Sequence, residues 1–449
     1  MFWKRTQLGL IHVAVAMTLV PLNSTLNRVM IKELAFSAAL VALLVSLPYL
    51  FSPIQVAIGS FSDRNPLLGY RRSPYIVIGL LLCVFGVIAS PATAYLMAEN
   101  FWVGLALGVL VFGAWGMGFN FATVSYFSLA SELSGERGRS RTISVMFFIM
   151  ILGIIGTSIG LGRMLEPYSP AALESAFRIV ALLALVLGLI GLVGLEPRAT
   201  PRRDAPGAAL SGAESLMGRD HAERQSWRRL FAIVRENPHV TRFFWYLILL
   251  LAAILGQDVL LEPFAAEAFG MPVNVTTRIT SLWGTCFLVS LLIAGALETR
   301  IAKRTMVRVG GWGAIAAFIL IAISGVAAST GLFYGGVILL GIATGLATVS
   351  NLSLMLDMTI PGKVGLFIGV WGMANAVARL IGSVLSGLVR DAIDRVATSP
   401  VTGYVVVFLM LAGLLLASLA LLHTIDVSAF RRQVEGPSLI ERAATAQEA

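Results

Sequence analysis

Asp258 and Glu262 stand four residues apart in one long apolar run, and Asn23 and Asn27 repeat that spacing in another. On helices each pair shares one face. Ionisable groups in such runs are costly in hydrocarbon and turn toward a protein interior or a wet cavity. A third apolar run holds Arg379, with Asn375 one turn before it. Counting about 1.5 Å per residue from Arg242, Asp258 falls roughly 24 Å and Glu262 roughly 30 Å into the run, and Arg379 reaches a similar depth. An acid and a base at one depth neutralise each other, so Arg379 is expected to pair with Asp258 or Glu262, with Arg28 the rival partner at the outer rim. Two roles fit these six residues. They either fix helix packing as a structural ion pair, or line a central cavity where they hold a ligand's polar head or couple protonation to opening.

A second charged constellation repeats along the chain. GSFSDRNPLLGYRRSPY at 59–75 is echoed by GALETRIAKR at 295–304, and Asp63 moved on by 235 residues is Glu298. The same offset carries Asn23 to Asp258 and Asn27 to Glu262, while Glu132 and Asp357, in SLASEL and SLMLDM, correspond at an offset of 225. The chain therefore reads as a duplication, which in a membrane gives two similar bundles around a central site. Gly59, Asp63, Arg64, Arg71, Arg72, Glu132, Glu298, Arg300 and Asp357 form a candidate conformational latch. A carboxylate at a helix end that meets a guanidinium of the neighbouring bundle gains little while wet and more once closure desolvates it. A purely topogenic charge cluster would carry the same residues.

The elements that must position these groups follow from composition. Of 449 residues, 57% are hydrophobic and 13% charged, more apolar surface than a soluble domain can bury or cover. Apolar runs near 8–30, 37–61, 75–97, 102–130, 142–161, 176–195, 241–266, 277–297, 305–328, 332–356, 364–389 and 401–423 are each long enough to cross a bilayer. The expected fold is an all-α integral membrane protein of twelve transmembrane helices in two six-helix pseudo-repeats. Residues 1–197 form the first bundle, 198–240 a linker, 241–426 the second bundle and 427–449 a tail. Within the linker, SWRRLFAIVREN sets Trp227, Leu230, Phe231 and Val234 on one helical face, as in a helix lying on a membrane surface. Gly153, Gly156 and Gly160, with Gly382, Ser383, Ser386 and Gly387, offer small faces for close helix contact.

With both termini cytoplasmic, the cytoplasmic segments hold 25 Lys and Arg and the opposite loops and helix ends hold seven, Arg379 being the remaining one. That split orients the protein, and the net charge of +9 then reflects basic loops on an anionic leaflet rather than nucleic-acid binding. Ala208→Cys and Ala449→Cys should resist an impermeant thiol reagent in intact cells. Labelling of either from outside would overturn the orientation.

Catalytic signatures are missing from the sequence: it has no P-loop, no G-x-S-x-G elbow and no cluster of metal ligands, so no enzymatic activity is expected. Cys83 and Cys286 lie inside apolar runs and indicate no disulfide. His12 is the one histidine well inside a run; it is a candidate axial ligand for a pigment magnesium, the alternative being a packed, hydrogen-bonded helix histidine. Trp115, Phe119, Tyr126, Phe127, Trp283 and Trp371 could flank a macrocycle or simply pack.

The 6+6 pattern with its acid–base loop resembles the major facilitator superfamily. LNSTLNRVMIKEL at 22–34, SPIQVAIGSFSDRNPLLGYRRSPYIVIG at 52–79, QDVLLEPFAAEAFG at 257–270 and WGMANAVARLIG at 371–382 are similar to the BCD (PucC/LhaA-like) family within it. That resemblance implies a factor that delivers (bacterio)chlorophyll, as a transient ligand, to light-harvesting or reaction-centre polypeptides, with pigment-synthesis enzymes as further partners. It also implies a bacterial inner membrane, cytoplasmic or intracytoplasmic. The alternative is a secondary active transporter of a small or hydrophobic solute. Few intramembrane polar groups suit a hydrophobic cargo better than a sugar.

Overall fold

The computed structural model describes residues 2–52, 54–198, 238–297, 300–357 and 364–425. Hydrocarbon offers backbone amides no partners, so each spanning segment must satisfy its own, and helices do this. The first half comprises α1 (Phe2–Met17), α2 (Ala38–Val45), α3 (Leu47–Leu50), α4 (Ile54–Arg64), α5 (Ser73–Glu99), α6 (Phe101–Met164) and α7 (Pro170–Leu192). The second comprises α8 (Pro238–Gly256), α9 (Leu261–Phe269), α10 (Val273–Leu297), α11 (Lys303–Val326), α12 (Thr330–Asp357), α13 (Val364–Asp394) and α14 (Pro400–His423). Side-chain caps mark several starts: Ser37, Asn100, Ser169 and Ser399 each accept from a backbone amide of the first turn.

Eleven helical stretches among the described residues are long and apolar enough to cross a membrane. The remaining expected crossing, 37–61, is not one helix but α2, α3 and α4 in succession. Pro48, in the first turn of α3, marks the first interruption, because proline donates no amide hydrogen and clashes with the preceding turn. A second departure concerns 131–141, expected as a loop: helical hydrogen bonding continues through it, from Phe101 to Met164. The chain nevertheless reverses there. Tyr126 and Phe147 both lie against the His12 ring, at centroid distances of 5.0 and 5.1 Å, whereas a straight helix would separate them by roughly 30 Å. Two spans, Phe101–Ser134 and Arg141–Met164, therefore make up α6.

Within the halves α5 packs on α6, α11 on α12, and α8 on α13 and α14. Between them α2 packs on α13 and the second arm of α6 on α10. Under the duplication these two interfaces are the same pair of spans, second with eleventh and eighth with fifth. Close approach depends on glycine: a side chain at Gly387 would start 2.7 Å from the Ala39 Cα, and one at Gly382 would start 2.2 Å from the Ala252 carbonyl oxygen. The core runs through both halves, whereas Leu81, Phe85, Leu110, Val186, Leu292, Val309, Trp312 and Leu416 are exposed and offer the surface that acyl chains cover. The linker from 199 to 237, with the surface helix read there, and the tail from 426 lie outside the described residues.

Candidate functional site

The first helix of each half is irregular at the same repeat position. Beyond α1 the chain widens into π-type turns at Pro21–Leu26 and Val29–Glu33, and beyond α8 it tightens into a 3-10 turn at Gln257–Val259. Such breaks loosen the ladder of backbone bonds and are frequent at functional positions. They also bring the halves together. Ser24 Oγ donates to Glu262 Oε1, and Asn27 Nδ2 donates to the Val259 carbonyl at 2.7 Å. These contacts are mates under the 235-residue repeat, since Ser24 corresponds to Val259 and Asn27 to Glu262. Lys32 Nζ meets Glu267 Oε2 at 2.6 Å, a pair itself separated by 235 residues. The pseudo-twofold axis thus passes between the two irregular stretches. The repeat-related pairs Asn23–Asn27 and Asp258–Glu262 thus meet through neighbouring groups, Ser24 on Glu262 and Asn27 on the Val259 carbonyl.

Arg379, on α13, reaches Asp258 Oδ2 with Nη1 at 2.9 Å, the first of the two expected pairings. Its guanidinium also lies 5.0 Å over the Tyr49 ring, so a cation–π contact adds to the ion pair. The pair is only partly buried, with side-chain exposures of 24% for Arg379 and 27% for Asp258. Asn375 is half-buried one turn away. Arg28 is not a partner of this site: it pairs with Glu33 and donates to the Met271 carbonyl at 3.2 Å. Glu262 is held by hydroxyls instead, Ser24 from one half and Thr280 from the other, the latter at 2.7 Å.

Further bonds join the halves toward the end that carries Lys32. Asp391, near the end of α13, accepts from Ser37 Oγ at 2.6 Å and from the amides of Ala38 and Ala39 at 3.1 and 2.9 Å. A carboxylate of one half thereby caps the α2 N-terminus of the other, where the helix dipole favours negative charge. Arg278 and Glu166 add a pair at 3.2 Å, more exposed and correspondingly weaker.

At the opposite end the candidate latch is partly visible. Arg72 reaches Glu132 Oε1 at 2.9 Å and donates to Ser62 Oγ at 2.8 Å. Glu196 accepts from the amides of Arg71, Arg72 and Ser73, at 2.7–3.2 Å, and from Ser73 Oγ at 2.6 Å. These bonds tie α4, α6 and the segment after α7 together within the first half. Gly59, Asp63 and Arg64 lie on α4, Asp357 ends α12 and Arg300 follows α10. Glu298 lies outside the described residues. Sequence reasoning missed Tyr49, Ser24, Thr280, Glu196 and Asp391 as members of these clusters.

His12 is buried among Tyr126, Phe127 and Phe147, whose ring centroids lie 5.0–5.5 Å away. These rings pack around the imidazole, and its Nδ1 is buried without a hydrogen-bond partner. Trp115 is fully buried and donates to Thr18 Oγ1 at 3.1 Å, and Trp283 stacks on Phe287. Gly153 abuts Val13, whereas Gly156 and Gly160 have nothing against them within 4 Å.

Comparison with known proteins adds the family. The model of a family described as PUCC protein matches residues 25–430. Protein PucC of Cereibacter sphaeroides is 31% identical over 428 residues, covering 92% of this chain and 89% of the relative. A Rhodobacter capsulatus protein named bacteriochlorophyll synthase 44.5 kDa chain is 26% identical, with 86% of each chain covered. Among solved structures, a D-xylose–proton symporter superposes with a TM-score of 0.72 at 12% identity, covering 96% of this chain and 99% of the symporter. That likeness concerns the fold, which is the two-bundle fold of major facilitator transporters.

Proposed function

The chain belongs to the PUCC protein family, and from that premise we propose that it is a photosynthetic assembly factor: it binds (bacterio)chlorophyll and passes it to light-harvesting or reaction-centre polypeptides. The observation that carries the reading is the family match along nearly the whole membrane region, together with relatives that bear the names PucC and bacteriochlorophyll synthase. The site's chemistry supports it. Among the described residues the partly exposed polar groups here, Arg379, Asp258, Tyr49, Asn23 and Asn375, suit the polar edge of a ligand whose bulk is apolar. The protein works by binding and release, without making or breaking covalent bonds. It resides in the bacterial inner or intracytoplasmic photosynthetic membrane with both termini in the cytoplasm, and pigment-synthesis enzymes are further partners.

Shape likeness to a sugar–proton symporter favours one rival, secondary transport of a solute. A deletion strain separates the two. If the chain serves assembly, antenna or photosystem complexes should fall several-fold while their transcripts and early pigment intermediates persist. A tagged copy in mild detergent should carry pigment absorbance and antenna or reaction-centre subunits. Unchanged complexes in the deletion strain, with saturable solute uptake by the purified protein in vesicles, would establish the transporter instead.

A further inference from the structure

At the contact between the two irregular stretches no cation bonds the Glu262 carboxyl; Arg28, paired with Glu33, acts on it only from a distance. Glu262 is 3% exposed; its Oε1 accepts from Ser24 and Thr280, while its Oε2 is buried with no hydrogen-bond partner. Asn27 is fully buried and Gln257 is 3% exposed, and Asn27 Oδ1 and Gln257 Oε1 are likewise buried without a donor. The orientation of both amides is fixed, because Asn27 Nδ2 donates to the Val259 carbonyl and Gln257 Nε2 donates to Asp258 Oδ1, each at 2.7 Å. Flipping either amide would set oxygen against oxygen. Three residues at or beside the Asn27–Val259 contact thus each bury an acceptor without a donor, and such an acceptor costs free energy, most of all when it is ionised.

Nearby cations make their bonds elsewhere. Arg28 is committed to Glu33 and the Met271 carbonyl, Lys32 to Glu267, Arg278 to Glu166 and Arg379 to Asp258. With Asp258 neutralised by Arg379, Glu262 contributes one negative charge and the two amides contribute neutral oxygens. One carboxylate oxygen with amide oxygens is a hard, singly charged donor set. It suits a small monovalent cation and carries too little charge for a divalent one. We propose that Glu262, Asn27 and Gln257 form a buried monovalent-cation site at the junction of the halves, filled by sodium or by a proton. Because Ser24 and Thr280 hold the same carboxyl from opposite halves, filling the site stabilises the closed junction, and emptying it leaves an uncompensated charge there. The site depends on this junction and not on the identity of the cargo.

The test is the thermal unfolding of the full-length protein in detergent, titrated with NaCl against choline chloride at constant ionic strength, and separately with pH. Sodium as occupant predicts a rise of several degrees that saturates with NaCl and is absent in choline. A proton as occupant predicts stabilisation on acidification that is indifferent to sodium. In either case Glu262→Gln should remove the dependence, since the neutral amide needs no cation, and Gln257→Leu should weaken a sodium response several-fold while sparing a proton response. Should Glu262→Gln fold poorly, sodium-22 binding by the unaltered protein and by Gln257→Leu gives an independent readout of the sodium form, and infrared detection of a protonated carboxyl whose band shifts in Glu262→Asp gives one for the proton form. A response that persists in Glu262→Gln, or stability indifferent to both sodium and pH, would overturn the site.

Discussion

Arg379→Ala should cost about 2 kcal/mol of stability and most of the protein's ability to retain its ligand, and a second substitution, Asp258→Asn, should restore part of both. Breaking a fully buried pair from one side costs about 3–5 kcal/mol, because the abandoned charge stays in a poor solvent. Here each partner is about a quarter exposed, 24% for Arg379 and 27% for Asp258, and water would soften the loss. Removing the second charge removes the penalty, though not the contact of the guanidinium with Tyr49. Arg379→Lys should fall between, since a lysine keeps the charge but lacks the planar fork that meets a carboxylate and an aromatic face together. Thermal unfolding of the four proteins gives a double-mutant cycle. A double variant no better than Arg379→Ala would mean that the pair carries no coupling.

The pairing itself was legible because it rests on local rules: a lone arginine and two acids at equal depth in apolar runs must find each other, and helical spacing says which face they occupy. Which acid would win was not legible. Arg379 chose Asp258 because the 3-10 turn at Gln257–Val259 separates Asp258 from the regular phase that places Glu262 beside it, and no residue count anticipates that turn. The second crossing hid for a related reason. Its apolar run is unbroken in composition, and Pro48, at the start of α3, is the local sign that it is built in pieces. Arg28 misled by charge alone, as Glu33, five residues on, was a nearer partner than any in the other half. Asp391 and Glu196 stayed invisible because each cap joins residues far apart in the chain, 352 to 354 for Asp391 and 123 to 125 for Glu196. The duplication, by contrast, was legible down to single contacts: the offset of 235 that relates Asn27 to Glu262 also relates the two ends of the Lys32–Glu267 ion pair.

Asp391→Ala should release the halves at the end where they are now tied, shifting the balance of open to closed forms about 100-fold toward opening. Three bonds converge on this carboxylate, and its side chain is 14% exposed. Water would satisfy the freed groups after opening, so each bond counts at its net value, about 1 kcal/mol. The sum is about 3 kcal/mol, and each 1.4 kcal/mol is tenfold. Arg390 would lose its 3.1 Å contact with Asp391 but keep Asp394 at 3.6 Å and the Tyr404 ring, so no cation is stranded. Asp391→Asn should give a smaller shift, because one oxygen can still accept from the α2 amides. Spin labels at Glu99 and Val396, exposed positions at this end of opposite halves, report the separation without touching the tie. The parent should give one short distance, and Asp391→Ala should populate a longer one. An unchanged distribution would mean that the cap merely starts α2, and that the other contacts between the halves, the Lys32–Glu267 pair and the Ser24–Glu262–Thr280 junction among them, hold them closed.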